Sequence, residues 1–392
     1  MERIGIYGGS FNPPHIGHMD VARWAVEVLG LSKMLLIPCN ISPGKQMLPG
    51  SADNAQRLHM LELAAAGQEK LQICQLELQR GGVSYTCDTV RQLRGEYPDA
   101  ELVLCMGADA FCGFDTWKDP EEIIQLASLA VFHRGKKNED ELIQHAEQKL
   151  SAMGAKVYRM ENPVTDISST QLRRLLEFRC ADPFLCPQVA DYIREQGVYG
   201  ANADYRALPM EKLEQVVIRL LKPNRVAHVL GCRDTAVEMA KHWGADTTDA
   251  ARAGILHDIT KALDGPLQLT LCSEYGIVLD EFSTNNPKTL HALTGSLVAQ
   301  RVFGENQAVV DAIRWHTTGK ENMDLLQKII YVADYMEPNR DFPGVDKLRH
   351  LAFTDIDAAL KLGLEMTLTM LHEQGREVSP ESQQAIAWLE RK

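Results

Sequence analysis

Two groups of histidines in this 392-residue sequence have the neighbours and spacing to do chemistry. The first is GGSFNPPHIGH, Gly8–His18, which follows the apolar run Ile4–Tyr7 and opens the helical pattern MDVARWAVEVLG. Gly8 and Gly9 let the backbone, with Ser10 and Phe11 beside it, come close to a phosphate. The helix start adds unpaired N–H groups and a partial positive charge. His15 and His18, three apart, project from one face of a first helical turn, where each can donate to a phosphate oxygen. A bare HxGH fits a tight turn with incidental histidines equally well; the strand, glycine turn and helix start around it favour the anion site. Neither GxxxxGK[ST] nor GxGxxG is present. A second helix start, DISSTQLRR at Asp166–Arg174, offers Ser168, Ser169 and Thr170 as an amino cap with Arg173 about one turn on. Such a cap alone is ordinary, but a forked guanidinium beside it makes a second anion site.

The second group comprises His228, His257-Asp258, His291, His316 and Asp334, each in a helical pattern or at its edge. Any one of them alone reads more readily as a satisfied core residue. Imidazoles and carboxylates converging from several helices are, however, how bundles build metal sites, and this mixture suits a mixed nitrogen and oxygen site rather than a cysteine-rich one. Adjacent helical residues point about 100° apart, so His257 and Asp258 serve one centre together only if Asp258 bridges two ions. The donor set does not choose among iron, manganese and cobalt.

The elements that must position these groups change character along the chain. Strand patterns at Ile4–Tyr7, Met34–Pro38, Leu71–Leu78, Leu102–Met106, Leu129–His133 and Lys156–Arg159 alternate with amphipathic stretches, which predicts an α/β domain with a parallel sheet and ligands at the strand carboxyl ends. From Met210 onward the period is helical, with breaks at Gly244, Gly265-Pro266 and Asn285-Asn286-Pro287, predicting an all-α domain. The apolar periodicity lapses over Gly197–Pro209, so the domains are expected over residues 1–204 and 205–392. A net charge of −12 without a long basic run disfavours nucleic acid and favours small phosphorylated substrates. Nine cysteines without a CxxC pair fit reduced thiols in the cytoplasm. No signal-like start or membrane-length apolar stretch is visible, so no membrane partner is expected.

Over about residues 1–200 the chain resembles the bacterial nicotinate mononucleotide adenylyltransferases, with their Rossmann-like nucleotidyltransferase fold. The resemblance rests on GGSFNPPHIGH, SYTCDT at Ser84–Thr89, GADAFCGFDTWKD at Gly107–Asp119 and ISSTQLRR. It implies ATP over Gly8, Gly9, Ser10, Phe11, His15 and His18, its phosphates held by Ser169, Thr170 and Arg173, with Mg²⁺ beside them. Thr86 and Asp109 would line the pocket for nicotinate mononucleotide, and Trp117 would stack on the nicotinate ring. The family's PPHK loop is ISPGK here, Ile41–Lys45: Lys45 is kept, while Gly44 removes an imidazole and loosens the loop. Class I aminoacyl-tRNA synthetases share the HIGH tetrapeptide but pair it with a KMSKS-type loop, which is absent. Over about residues 210–392 the chain resembles the HD-domain phosphohydrolases, and through KIIYVADYMEPNRDFPGVDKLR, Lys328–Arg349, their symmetrical diadenosine tetraphosphate hydrolases. That implies cleavage to two ADP on iron or manganese, with His228, His257, Asp258 and Asp334 at one ion and His291 and His316 at a second; Lys261 and Arg340 are candidate phosphate contacts, and a solvated surface role fits them equally. Other nucleotide polyphosphates as substrates, or a metal-loaded regulatory module, satisfy the ligand pattern equally.

Overall fold

The computed structural model describes residues 1–44, 50–136 and 138–391. The chain divides into two compact units, Met1–Asn202 and Ala203–Lys392. In the first, β1 (Arg3–Gly9), β2 (Lys33–Pro38), β3 (Leu71–Ile73), β4 (Glu101–Gly107), β5 (Ser128–Phe132) and β6 (Val157–Met160) form one sheet in the order β3-β2-β1-β4-β5-β6. Every neighbouring pair is parallel. Both faces are covered, which is why MLLIP and LVLCM read as continuous apolar runs rather than alternating ones. Ile4, Ile6, Leu35, Ile37, Leu102, Leu104, Leu129 and Val131 lie in the core. Gly5 lets the ends of the Leu31 and Met34 side chains pack against β1, where a Cβ would stand 2.7 Å from them. Strand order reverses between β1 and β4, so the crevice for a ligand opens at the carboxyl ends of these two strands.

One sequence expectation is corrected. The run Leu71–Leu78 is not a single strand: β3 stops at Ile73 and Leu76–Arg80 is a short helix. β3 is an edge strand, and beyond it tertiary contacts win over the alternating pattern. Leu76 is buried, and Glu77, also buried, accepts a 2.6 Å hydrogen bond from the Thr89 hydroxyl.

At the start of the central strand β4, Glu101 ties together β1, β5 and the β6 edge. Its carboxylate accepts from Arg3 Nε (2.8 Å), Lys156 Nζ (2.6 Å), Tyr158 OH (2.8 Å) and Ser128 Oγ (3.0 Å). Burial pushes its pKa up, but the donors from Lys156, Tyr158, Arg3 and Ser128 outweigh that and lower it from 4.5 to about 2. A depressed carboxyl pKa means stability present above about pH 4.5 and lost as pH falls toward 2. Glu101→Ala is therefore expected to destabilise the first unit by about 1–3 kcal/mol at neutral pH, and to shrink that part of its acid destabilisation. Denaturant titrations at pH 7 and pH 3 check both effects.

The second unit is helical. Five helices carry the histidine group: Val226–Trp243, Thr247–Leu256, Leu290–Arg301, Gln307–Trp315 and Leu325–Met336. Their ends are fixed locally. Gly244 stops the first in the left-handed region (φ 74°), and Asp246, Asn306 and Asp324 cap the starts of three others by accepting backbone N–H groups. The first two helices cross closely at Gly254, where a Cβ would stand 2.7 Å from the Cα of Arg233. No helix among the described residues is long and apolar enough to cross a membrane.

Candidate functional site

At the carboxyl end of β1 the chain turns through Ser10–Pro14 into the helix Ile16–Val28. Phe11 takes a left-handed backbone (φ 43°) and is 1% exposed. Gly9 allows this, since its missing Cβ would sit 3.3 Å from the Phe11 ring. At Gly8 a Cβ would meet nothing, so that side of the turn is open to a ligand. His15 is the residue just before the helix and His18 lies in its first turn, with ring centroids 3.6 Å apart. The His15 N–H donates to His18 Nδ1 (3.2 Å). Because that Nδ1 accepts, neutral His18 carries its proton on Nε2 and can donate from there. Burial, reinforced by Arg134, lowers the His18 pKa to about 3, and burial with His18 and Arg134 holds His15 well below the imidazole range. Both are neutral donors or acceptors at pH 7, not cations.

The distant DISSTQLRR segment reaches the same turn. It forms the helix Ser169–Glu177, capped by Ser168, whose Oγ accepts from Gln171 N. Ser169 Oγ donates to Pro13 O (3.2 Å), while Arg173 donates to Asn12 O (2.7 Å) and Thr170 Oγ1 (3.1 Å). The structure thus gathers Gly8–Phe11, His15, His18, Ser169, Thr170 and Arg173 about one turn.

Thr86, Asp109 and Trp117 belong to a neighbouring group. Thr86 opens the helix Thr86–Glu96, and Ser84 bonds back to the turn after β2 through Asn40 N (3.0 Å) and Ile41 O (2.9 Å). Lys118 links this segment to the next one, lying over the Tyr85 ring at 4.6 Å and 3.6 Å from Asp88. Trp117 is half-buried and packs on Phe114, with centroids 5.1 Å apart. Asp109, on the short helix after β4, pairs with Lys136 (2.8 Å), which keeps its carboxyl below the usual range. Lys45 lies outside the described residues.

Three residues essential to this geometry were not picked out from the sequence. Arg57, 1% exposed, donates to Ser10 O (2.5 Å), Cys39 O (2.6 Å) and Asn54 Oδ1 (2.6 Å). Tyr199, within the stretch read as a junction, is buried and donates to Asn12 Oδ1 (2.6 Å). Arg134 lies between the two groups, 3.7 Å from Asp109 and against Gly107, where a Cβ would stand 2.8 Å from its Nε. Only Arg134 carried a signal, the basic run HRGKK after β5.

In the second unit all six histidine-group residues converge. His257 and Asp258 stand at the edge of a helix, on the turn that ends Thr247–Leu256, with His257 still in helical backbone angles (φ −54°, ψ −36°). His228 and His257 oppose one another, Nε2 to Nε2 3.3 Å, as do His291 and His316 at 3.2 Å. Asp258, 1% exposed, lies between the two pairs. Its Oδ2 is 3.7 Å from His257 Nε2 and 3.8 Å from His228 Nε2, and its Oδ1 is 3.5 Å from His291 Nε2 and 3.8 Å from His316 Nε2. Asp334 Oδ1 closes the first pair, 3.1 Å from His228 Nε2 and 3.7 Å from His257 Nε2.

The outer nitrogens say which atoms face inward. His257 Nδ1 meets Gly254 O (2.8 Å), His291 Nδ1 meets Lys288 O (2.9 Å) and His316 Nδ1 meets Ile313 O (2.7 Å). Carbonyls only accept, so each Nδ1 carries the proton and each Nε2 presents a lone pair. Burial, first among the causes, lowers all three pKa values, that of His316 to about 4. Bare nitrogens facing at 3.2–3.3 Å repel unless a cation joins them. Ligands about 2.1 Å from a common ion lie roughly 3.0–3.4 Å apart, so the spacing fits a metal. The donor atoms of His228, His257 and Asp334, and those of His257, Asp258 and His316, each lie within 4.8 Å of one another, close enough to share an ion. Glu337 was missed from the sequence: it is 1% exposed and its Oε1 holds His228 Nδ1 at 3.1 Å. Arg225, also missed, pairs with Asp258 Oδ2. Lys261 sits 2.8 Å from His291 Nε2, and Arg340 2.9 Å from Asp334 Oδ1.

Comparison with known proteins agrees with this division. Residues 6–175 match the cytidylyltransferase-like family and residues 225–339 the HD domain family. A "Probable nicotinate-nucleotide adenylyltransferase" of Marinobacter nauticus is 37% identical over 210 residues, half of this chain and 96% of that protein. Halalkalibacterium halodurans carries relatives of the two halves as separate proteins. Its symmetrical bis(5'-nucleosyl)-tetraphosphatase is 39% identical over 42% of this chain and 90% of that protein. Its "Probable nicotinate-nucleotide adenylyltransferase" is 34% identical over 54% of this chain and 98% of that protein. The chain is therefore a fusion that belongs to the nicotinate-nucleotide adenylyltransferases through its first half and to the HD-domain symmetrical bis(5'-nucleosyl)-tetraphosphatases through its second.

Proposed function

We propose that the first unit transfers the adenylyl group of ATP to nicotinate mononucleotide and that the second hydrolyses diadenosine tetraphosphate to two ADP. The adenylyl reading is carried by the paired imidazoles at the end of β1, with His18 fixed as an Nε2–H donor and Arg173 on the same turn. An oxygen of the mononucleotide phosphate attacks the α-phosphorus, the bond to the β-phosphate breaks, and pyrophosphate leaves. No side-chain nucleophile is needed. His15, His18, Ser169, Thr170 and Arg173 orient the chain of phosphates and receive the charge that develops, and Mg²⁺ beside the phosphates supplies further neutralisation. Thr86, Asp109 and Trp117 face the mononucleotide in this reading.

The hydrolytic reading is carried by Asp258, whose two oxygens address two facing histidine pairs. His228, His257, Asp258 and Asp334 would hold one ion, and His291, His316 and the other Asp258 oxygen a second; iron or manganese suits this mixed donor set. Ions held there would supply an acidified water and polarise phosphoryl oxygens. The residues themselves do the rest: Glu337 orients His228, while Lys261, Arg225 and Arg340 bring positive charge to the same centre for a polyphosphate. Symmetrical attack breaks the central anhydride, so ADP is the expected nucleotide product from diadenosine tetraphosphate. Chromatography of the products checks this, and ATP with AMP in equal amounts would replace the proposed cleavage with an asymmetric one. Turnover of guanosine or deoxynucleoside polyphosphates in preference to the dinucleotide would reassign the substrate.

A further inference from the structure

On the proposed function above, the first ion has four donors, His228, His257, Asp334 and one Asp258 oxygen, whereas the second has three, His291, His316 and the other Asp258 oxygen. A further oxygen stands beside this second pair. Thr317 Oγ1 lies 3.1 Å from His291 Nε2 and 3.1 Å from His316 Nε2, and those two nitrogens are 3.2 Å apart. Donor atoms in a triangle with these edges have the roughly 3.0–3.4 Å spacing of neighbouring ligands on one ion. A hydrogen bond accounts for only half of the arrangement, because the hydroxyl has a single proton for two equidistant acceptors.

The two halves of the centre are alike in this respect. Asp334 Oδ1 stands 3.1 Å and 3.7 Å from the Nε2 atoms of the first pair, as Thr317 Oγ1 stands to those of the second. The local fold holds the hydroxyl there. Thr317 follows His316 on the turn after the helix Gln307–Trp315. Gly319, at φ 66°, closes that turn by donating its N–H to Trp315 O (2.9 Å), and the buried Ser382 donates to Thr318 O (2.7 Å). Lys261 Nζ also reaches His291 Nε2, at 2.8 Å, but on a long side chain, 38% exposed, that is free to turn to a phosphate. The stiff, β-branched Thr317 on its pinned turn stays with the pair.

We propose that the Thr317 hydroxyl is a ligand of the second ion, in the place that the Asp334 carboxylate takes at the first. Serine and threonine hydroxyls hold divalent ions in phosphoryl-transfer sites in the same way. The hydroxyl is neutral where Asp334 is an anion, so the two ions are held with unequal strength, and the second is the weaker and the more readily exchanged.

Mn²⁺ is the probe, titrated into the chelator-stripped full chain without nucleotide and followed by the electron paramagnetic resonance signal of the free ion. The parent should take up two ions, one more tightly than the other. Thr317→Val keeps the branching and drops the oxygen; it should weaken the looser ion about tenfold or more and leave the tighter within about twofold. Thr317→Ser keeps the oxygen and should recover most of that loss. Thr317→Asp sets a carboxylate there and should tighten the looser ion by a similar factor, which decides the matter even where valine disturbs the packing. An unchanged looser ion in Thr317→Val, serine no better than valine, or no tightening in Thr317→Asp would overturn the assignment. The parent separates this claim from the reading on which it rests. A single bound ion rejects the two-ion centre itself. Two bound ions without hydrolysis of diadenosine tetraphosphate reject the proposed reaction alone, and two bound ions with an unchanged valine variant reject only the role of Thr317.

Discussion

Asp258→Ala is expected to lower hydrolysis of diadenosine tetraphosphate at least a hundredfold and to cut the transition-metal content of the purified chain. Loss of an outer residue that merely orients a ligand already costs about 10–100-fold in affinity or activity. Asp258 does more, since one oxygen lies within 3.8 Å of His228 and His257 and the other within 3.8 Å of His291 and His316. Without it, the two pairs lose their common ligand, and Arg225 loses its buried counter-charge. Adenylyl transfer should stay within twofold, because the first unit builds its turn from its own residues. Hydrolysis within threefold of the parent would remove Asp258 from the centre.

His18→Ala is expected to reduce adenylyl transfer at least tenfold, more in kcat than in the KM for ATP. Removing one donor aimed at charge that develops in the transition state commonly costs 10²–10³ in kcat. The hydrogen bond from His15 N to His18 Nδ1 fixes which nitrogen donates, so alanine removes both the donor and the support of the turn. His18→Gln, which can still present an N–H, should recover part of the loss. The pH profile gives a second check. With its pKa held at about 3 by burial, His18 stays neutral and active from pH 7 down through pH 5, and should contribute no inflection near 6.5. Its effect on stability has the same sign: the depressed pKa favours the folded form above about pH 6.5, and this is lost as pH falls toward 3. Near-normal turnover in His18→Ala would discard the assignment.

Much of both sites was legible because short-range rules govern them. A strand followed by two glycines and a helix start is a local pattern, and so is a Ser/Thr cap one turn before an arginine; both motifs fold as their spacing predicts. The histidine group was legible from residue type alone, although its geometry was not. His257 and Asp258 could be read as neighbours at a helix edge, and only the packed helices show Asp258 lying between the two histidine pairs. What stayed hidden depends on contacts without a spacing rule. Tyr199 meets Asn12 across 187 residues. Arg57 serves main-chain carbonyls at Ser10 and Cys39, which any sequence would offer. Glu337 lies three residues beyond Asp334, yet its partner is His228 on another helix. The early end of β3 has the same origin, because the Glu77–Thr89 bond and the burial of Leu76 override an alternating pattern on an edge strand.

The most direct measurement strips transition metal from the full chain, supplies excess Mg²⁺, and follows both reactions in one sample. Adenylyl transfer should run at the untreated rate, while diadenosine tetraphosphate should persist until iron or manganese is added and then yield ADP. Full hydrolysis by metal-free chain, or the fall and return of both reactions together, would contradict two separate centres in one polypeptide.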